Sequence, residues 1–111
     1  MDFQIKLDKL NATVISKAAK ITALNATELK EAFTSLNKKS INSVILDLTE
    51  SKYCDSSGLS AILLGNRLSK DTNGKFILCG LQPSVFKVIQ IAQLHKVLLI
   101  ADNQEEAFKL I

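Results

Sequence analysis

The stretch Val44-Ile45-Leu46-Asp47-Leu48, followed after a short connection by Asp55-Ser56-Ser57-Gly58-Leu59, decides how this chain folds. The first run is almost continuously apolar, which is typical of a central strand covered on both faces. The second run places carboxylate and hydroxyl side chains, which favour helix starts, directly before apolar residues. We therefore predict a buried strand, a polar connection over 49–54, and a helix that begins near Ser56 or Ser57 and continues to about Ser69.

On the amino-terminal side, the pattern predicts a hairpin and then a helix. Three apolar side chains alternate with polar ones: Phe3, Ile5 and Leu7. This period of two predicts a half-buried strand, and a turn at Leu10-Asn11 leads to a second strand over 12–16. Asn25 is expected to cap the first helix, with Glu28 three residues later completing a capping-box pair.

On the carboxyl-terminal side, two further strand and helix pairs are expected. A strand over 75–79 precedes Pro83, which suits the first turn of a helix because its missing N–H would lack a partner there. A short strand over 97–100 follows. Asp102 is expected to cap a terminal helix, with Glu105 three residues further on. The predicted order is β-β-α-β-α-β-α-β-α, an α/β fold in which a mixed sheet is covered by helices.

Length and composition are those of one globular domain over residues 1–111, without a metal or disulfide framework. The formal net charge is +3, and the basic residues are scattered, with Lys38-Lys39 as the only adjacent pair. This distribution argues against a nucleic-acid partner. No transmembrane span and no signal peptide are predicted. Cys54 and Cys79 each end an apolar strand pattern, so we expect buried thiols, in keeping with a reducing cytoplasm.

The segment from Asp55 to Gly58 contains more polar side chains than capping requires. One carboxylate or hydroxyl is enough to cap a helix, so a spare hydroxyl is expected at the helix start. Free backbone N–H groups and the positive end of the helix dipole favour an added anion at that place. A phosphate on Ser57 could therefore change the surface without unfolding the domain, although the charge of Asp55 would oppose it. The same residues are equally a good helix cap with no further role, and spacing alone leaves that interpretation open.

Several segments together resemble one protein family. They are Val44–Leu48, Asp55–Leu59, Gly74–Pro83, Asn25–Leu29 and Glu105–Phe108. In this order they resemble the STAS family, and in particular its anti-sigma-factor antagonists of bacterial sporulation and stress regulation. The resemblance covers essentially the whole chain and implies a mixed sheet of about five strands, with about four helices packed mainly on one face.

The resemblance also implies a function and a set of partners. An antagonist of this type in its unphosphorylated form binds an anti-sigma factor, which is also an ATP-dependent serine kinase, and so regulates transcription. The kinase phosphorylates the second serine of the motif, here Ser57, with Ser56 as the second choice, and a metal-dependent serine phosphatase reverses the step. The chain itself would be a cytoplasmic monomer or weak dimer, with no enzymatic activity and no cofactor of its own.

The partner-binding residues that the resemblance implies lie at two helix starts. They are Asp55, Ser56, Ser57 and Gly58 at the second helix, and Thr22 and Asn25 at the first. Thr22 is a departure, because many such antagonists have an acidic residue there that contacts the kinase. A STAS module that acts as a scaffold or small-ligand sensor without phosphorylation therefore remains the alternative.

Enzymatic interpretations have less support in the sequence. Ser57, His95 and Asp47 could be combined as a hydrolase triad, but the Gly-x-Ser-x-Gly nucleophile elbow is absent. Cys54 has no adjacent basic residue that would lower its pKa. Asp47 and Asp55 would need further ligands to hold a metal ion. We expect neither a catalytic residue nor a metal site in this chain.

Overall fold

Strands and helices alternate along residues 2–111, the part of the chain described by a computed structural model. The strands are β1 (Phe3–Asp8), β2 (Asn11–Ser16), β3 (Lys20–Ile21), β4 (Ser43–Asp47), β5 (Tyr53–Cys54), β6 (Phe76–Cys79) and β7 (Leu99–Ala101). The helices are α1 (Ala26–Lys38), α2 (Ser56–Asp71), α3 (Pro83–Ile91) and α4 (Gln104–Phe108), with a 3₁₀ turn at Leu94–Lys96.

Five of the strands form one mixed sheet in the order β1-β2-β4-β6-β7. β1 pairs with β2 in antiparallel fashion, and the other three pairings are parallel. β4 lies at the centre, and all five of its residues are buried, as the apolar run predicts. The predicted mixed sheet of about five strands with four helices is confirmed.

The sheet is covered unequally on its two faces. One core joins side chains of β2, β4 and β6 to those of α1, α2 and α3, including Val14, Leu46, Phe33, Ile62 and Ile89. On the opposite face, Ile45 and Ile77 pack with Cys79 and with Ala107 of α4. Neighbouring residues of a strand point to opposite faces, which is why Ile45 and Leu46 serve different cores. Three of the four helices therefore share one face.

The amino-terminal strand is less buried than its alternating pattern predicts. Phe3 is buried, but Ile5 is 42% and Leu7 60% exposed. β1 is an edge strand with a neighbour on one side only. The predicted strand is present, but its predicted burial is wrong beyond Phe3. The turn lies at Lys9-Leu10, one residue before its predicted place.

Two strands of two residues each form a second, parallel sheet that the sequence pattern does not predict. Lys20 pairs with Tyr53, and Ile21 pairs with Cys54. β3 lies within the segment before the first helix, and β5 ends the segment that we expected to be a polar connection. Strands this short carry no measurable periodicity, so only the folded chain reveals them.

The expected cap of α1 is wrong in its hydrogen bonding. Asn25 occupies the N-cap position, but its side chain makes no capping hydrogen bond, so the pair with Glu28 does not form. Instead its Oδ1 accepts from the N–H of Thr22 at 2.9 Å, and its Nδ2 donates to Lys20 O and Asp2 Oδ2 at 2.9 and 3.1 Å. The loop before the helix and Asp2 therefore use the amide that the local pattern assigns to the helix.

Two later helix starts give one confirmation and one correction. Pro83 is the first residue of α3, as expected. α4 is capped by Asn103, whose Oδ1 accepts from the N–H of Glu106 at 2.9 Å, and not by Asp102. The last strand also begins later than predicted, at Leu99. Because Asp102 and Asn103 are both good capping residues, the sequence alone does not separate them.

α1, α2 and β6 meet at a point where space for a side chain is lacking. The rings of Phe33 and Phe76 form an edge-to-face pair with centroids 5.4 Å apart, and Gly65 of α2 lies against both. A Cβ atom added at Gly65 would lie 2.5 Å from Phe76 Cε1. The glycine therefore permits the close approach of α2 to the aromatic pair.

A buried carboxylate connects the end of β4 to α4. Asp47 is 8% exposed; its Oδ1 accepts from the N–H and Oγ1 of Thr49 at 2.9 and 2.6 Å, and its Oδ2 from Gln104 Nε2 at 2.6 Å. Burial by itself raises the pKa of Asp47, but the hydrogen bonds from Gln104 and Thr49 outweigh it and hold the pKa below its ordinary value of 3.8. The ionised form is thus the one that the fold stabilises.

We predict that Gly65→Ala destabilises the protein by about 1–2 kcal/mol, because displacing the two rings outweighs the higher helix propensity of alanine. Urea unfolding measures the difference. Ser60→Ala, on the exposed side of the same helix, is the control and should stay within about 0.5 kcal/mol of the parent protein. A neutral or stabilising Gly65→Ala would contradict the packing described.

We predict that Asp47→Asn lowers the free energy of unfolding by about 1–2 kcal/mol at neutral pH, through loss of charge-assisted hydrogen bonds. The folded-state pKa of Asp47 is lowered, so its contribution is complete above pH 3.8 and is lost as pH falls through that lower pKa. The difference in free energy of unfolding between parent and variant, measured by urea titration, should therefore narrow below pH 3.8. Asp102→Asn, at an exposed position, is the control and should stay within about 0.5 kcal/mol of the parent protein at neutral pH. A difference for Asp47→Asn that does not change with pH would refute the assignment.

Candidate functional site

The small parallel sheet brings the starts of two helices side by side. Thr22 follows β3, and Asp55 follows β5, so both residues leave the sheet at the same edge. The N–H of Asp55 donates to Ile21 O at 3.1 Å and extends the pairing by one step. Two segments that are more than thirty residues apart in sequence thereby form one continuous surface ahead of α1 and α2.

Asp55 meets the capping needs of α2. Its Oδ1 accepts from the N–H of Gly58 at 3.0 Å, and its backbone oxygen accepts from the N–H of Leu59 at 3.0 Å. Within residues 2–111, no hydrogen bond uses the hydroxyl or the backbone N–H of Ser56 or Ser57. Ser56 is exposed and Ser57 is half-buried. Both hydroxyls and the two backbone N–H groups are therefore available to a partner.

Gly58 allows α2 to begin close to the small sheet. A Cβ atom there would lie 2.5 Å from Cys54 Sγ and 2.9 Å from Ile21 O, both of which have little room to move. Burial, and then the nearby charge of Asp55, raise the pKa of the Cys54 thiol to about 11. The thiol is therefore neutral at physiological pH and acts as packing below the helix start, not as a nucleophile.

A cation from α1 that was not expected at this site lies beside the serines. A hollow of about 330 Å³ is lined by Lys30 together with Ala23, Ala26, Thr27, Ser56, Ser57 and Ser60. Lys30 is the only charged residue in this lining, and it forms no salt bridge within the described part of the chain. Helical spacing places Lys30 on the same face as Ala26, but no sequence pattern indicates that this face meets α2.

The loop before α1 presents a threonine and two apolar residues. Thr22 is half-buried, and its Oγ1 accepts from the N–H of Leu24 at 3.2 Å. Ala23 is exposed and Leu24 is 98% exposed. Asn25 is only 8% exposed and uses its amide internally, so it shapes this loop from below. The residue at the expected acidic position thus offers a hydroxyl and no charge.

The six predicted contact residues divide into two groups. Thr22, Asp55, Ser56 and Ser57 reach the surface, whereas Asn25 and Gly58 are buried. The structure brings all six together at the two helix starts through the pairing of β3 with β5. Those at the surface can touch a partner, while the buried two fix the backbone that presents them.

The residues of the enzymatic interpretations are not assembled into a triad. The carboxylate of Asp47 is held by Thr49 and by Gln104 of α4, on the sheet face opposite to α2. His95 is half-buried in the 3₁₀ turn, and its Nδ1 has no hydrogen-bond partner in residues 2–111. Across these same residues, no group of three or more His, Cys, Asp or Glu side chains is placed to hold a metal ion. None of their helices combines the length and apolarity that crossing a membrane would need.

One curated relative is similar to this chain in sequence, and two solved structures share its arrangement of elements. BtrV of Bordetella bronchiseptica, named as an anti-sigma factor antagonist, is 27% identical over 94% of this chain and 90% of its own length. A crystal structure of a Thermotoga maritima protein described as an anti-sigma factor antagonist superposes with a TM-score of 0.87 at 23% identity, covering 98% of this chain and 93% of the other.

The second structure is the Bacillus cell-fate determinant SpoIIAA in its phosphorylated form. It superposes with a TM-score of 0.76 at 19% identity and covers 96% of each chain. At such identities the two structures establish the fold. The sequence model of the STAS domain matches residues 5–107, which include both helix starts and every strand of the main sheet except the first residues of β1. The chain belongs to the STAS domain family.

Proposed function

We propose that this chain is a bacterial, cytoplasmic anti-sigma-factor antagonist that works as a phosphorylation-controlled protein-binding switch. In its unphosphorylated form it binds an anti-sigma factor that is also a serine kinase, and it thereby regulates transcription. The observation that carries the proposal is the pair of unused hydroxyls at Ser56 and Ser57, which are accessible because Asp55 alone caps α2. The antagonist name of BtrV supports the same assignment.

Ser57 is the proposed acceptor, with Ser56 as the second choice. The kinase moves the γ-phosphoryl group of ATP to Ser57 Oγ, so the bond to the departing ADP breaks and an O–P bond forms. The hydroxyl proton passes to a base of the kinase. A metal-dependent serine phosphatase later cleaves the phosphoester with water. ATP, the metal ion and the catalytic groups belong to these partners, so the chain needs no cofactor and acts as ligand and substrate, not as an enzyme.

The surroundings of Ser57 are suited to a phosphate dianion. The free N–H groups of the first turn and the positive end of the α2 dipole attract an anion. Lys30 lines the same hollow as Ser57 and carries a charge that no salt bridge neutralises in the described chain. Asp55 opposes the phosphate, but its carboxylate is directed to the N–H of Gly58. We therefore expect the modified chain to stay folded.

Loss of binding follows from the change in surface charge. Thr22, Ser56 and Ser57 are neutral and hydrogen-bonding, and they lie beside the exposed apolar Leu24. After phosphorylation, a partner surface that is complementary to neutral hydroxyls would have to take nearly two negative charges out of water without compensating them. This desolvation costs free energy and weakens binding. The neutral Thr22 means that a cation of the kinase would pair with Asp55 and not with the loop before α1.

We predict that Ser57→Asp weakens binding to the cognate anti-sigma factor by about tenfold or more, which is about 1.4 kcal/mol. Its free energy of unfolding should stay within about 0.5 kcal/mol of the parent, because an acidic residue in the first turn suits the helix dipole. Ser57→Ala should bind as the parent does but escape phosphorylation. Calorimetric titration, urea unfolding and mass spectrometry of the kinase reaction measure these three outcomes.

Ser40→Asp is the matched control, since it adds the same charge at the far end of α1, in an exposed turn with φ +64° that aspartate tolerates. It should bind normally. If a cognate kinase modifies neither Ser56 nor Ser57, the phosphorylation step is wrong. If both Ser57 substitutions leave partner binding unchanged, the chain is better described as a scaffold or ligand-sensing STAS module. A melted Ser57→Asp variant would contradict the proposed tolerance of charge.

A further inference from the structure

A second, larger hollow runs along the exposed side of α2. Its volume is about 700 Å³, and it lies between α1 on one side and the end of α3 with the 3₁₀ turn on the other. Leu59, Leu63 and Leu64 of α2 form an apolar floor that Leu94 continues across the groove. Leu63 is 38% exposed, so part of this apolar floor is open to solvent. We call this feature the α2 groove.

The dimensions of the α2 groove suit a short segment of polypeptide. Along α2 it extends from Ser56 to Arg67, and the lining residues between them recur at the three- and four-residue spacing of one helix face. Eleven residues of helix rise about 16 Å, which is about three helical turns. An amphipathic helix of that length could lay its apolar side chains on the leucine floor, as in other helix-in-groove complexes.

The charges of the groove select one kind of occupant. Lys30 and Arg67 are its only charged lining residues, and no carboxylate lines it. In the described chain, neither cation forms a salt bridge; the two recorded pairs are Lys17 with Glu50 and Lys109 with Glu106. Two unpaired cations beside an apolar floor are complementary to a segment whose carboxylates flank apolar side chains.

We propose that the α2 groove docks an acidic amphipathic segment of a protein partner, with carboxylates on Lys30 and Arg67 and apolar side chains on Leu59, Leu63 and Leu94. The part of this inference that concerns regulation rests on the proposed function. Lys30 lines both the groove and the hollow that contains Ser57. A phosphate on Ser57 therefore competes with the partner's carboxylate for the same ammonium group, which links modification to release of the segment.

The test uses the full chain and two synthetic three-turn helical peptides as probes. Both carry the same leucine face, and one has glutamates and the other lysines on the remaining positions. Fluorescence anisotropy should give about tenfold or greater preference for the acidic peptide, and the preference should shrink as salt is raised. In ¹⁵N NMR titrations, the amides of Leu63, Arg67 and Leu94 should shift.

A charge swap makes the test specific. The double substitution Lys30→Glu with Arg67→Glu should reverse the preference, so that the basic peptide binds more tightly. Lys70→Glu with Lys87→Glu changes the net charge equally at exposed positions outside the groove, and it should leave the preference unchanged. Leu63→Ser should weaken both peptides while the fold, monitored by circular dichroism, is retained.

Three outcomes would overturn the inference. They are equal affinity for the two peptides, NMR shifts confined to the exposed apolar residues of β1, and self-association that disappears with Leu63→Ser, which would assign the groove to a second copy of the chain.

Binding of the cognate kinase separates this inference from the proposed function. If the groove variants bind the kinase normally while Ser57→Asp does not, only the groove fails; if the groove variants weaken kinase binding while the kinase modifies neither Ser56 nor Ser57, only the phosphoswitch fails.

Discussion

The parallel pairing of β3 with β5 is the interaction on which the site depends. Only two residues on each side take part, yet they bring the starts of α1 and α2 to one edge. The N–H of Asp55 continues the pairing to Ile21, and the lack of a side chain at Gly58 lets α2 begin directly above it. Without this contact, the loop that contains Thr22 would have no fixed distance from the serines.

Adjacent residues at the start of α2 have separate roles, and this explains how the helix start is both rigid and accessible. Asp55 accepts the hydrogen bond from the N–H of Gly58, and Gly58 packs against Cys54. The fold therefore does not depend on the hydroxyl of Ser56 or Ser57. A charge added at either serine, as the proposed function requires, would lie where backbone donors and Lys30 can solvate it. Such a charge would alter the surface while packing is preserved, since none of the buried residues around α2 depends on those hydroxyls.

Much of this arrangement was predictable, and the exceptions have physical reasons. The continuous apolar run of β4 and the local chemistry from Asp55 to Gly58 are encoded in neighbouring residues, so the sequence indicates both. The pairing of β3 with β5, the hydrogen bond from Asn25 to Asp2 and the approach of Lys30 to α2 depend on residues distant in sequence. The exposure of Ile5 and Leu7 depends on the position of β1 at a sheet edge, which alternation cannot indicate.

The thiol of Cys54 offers a natural reporter of motion at the helix start. Its sulfur lies beneath Gly58, and its high pKa keeps it protonated, so an alkylating reagent meets both a steric and a chemical barrier. Modification requires the first turn of α2 to lift away from the small sheet. The alkylation rate of Cys54 therefore measures how often the turn opens, and it shows whether a charge added nearby loosens the turn or holds it down.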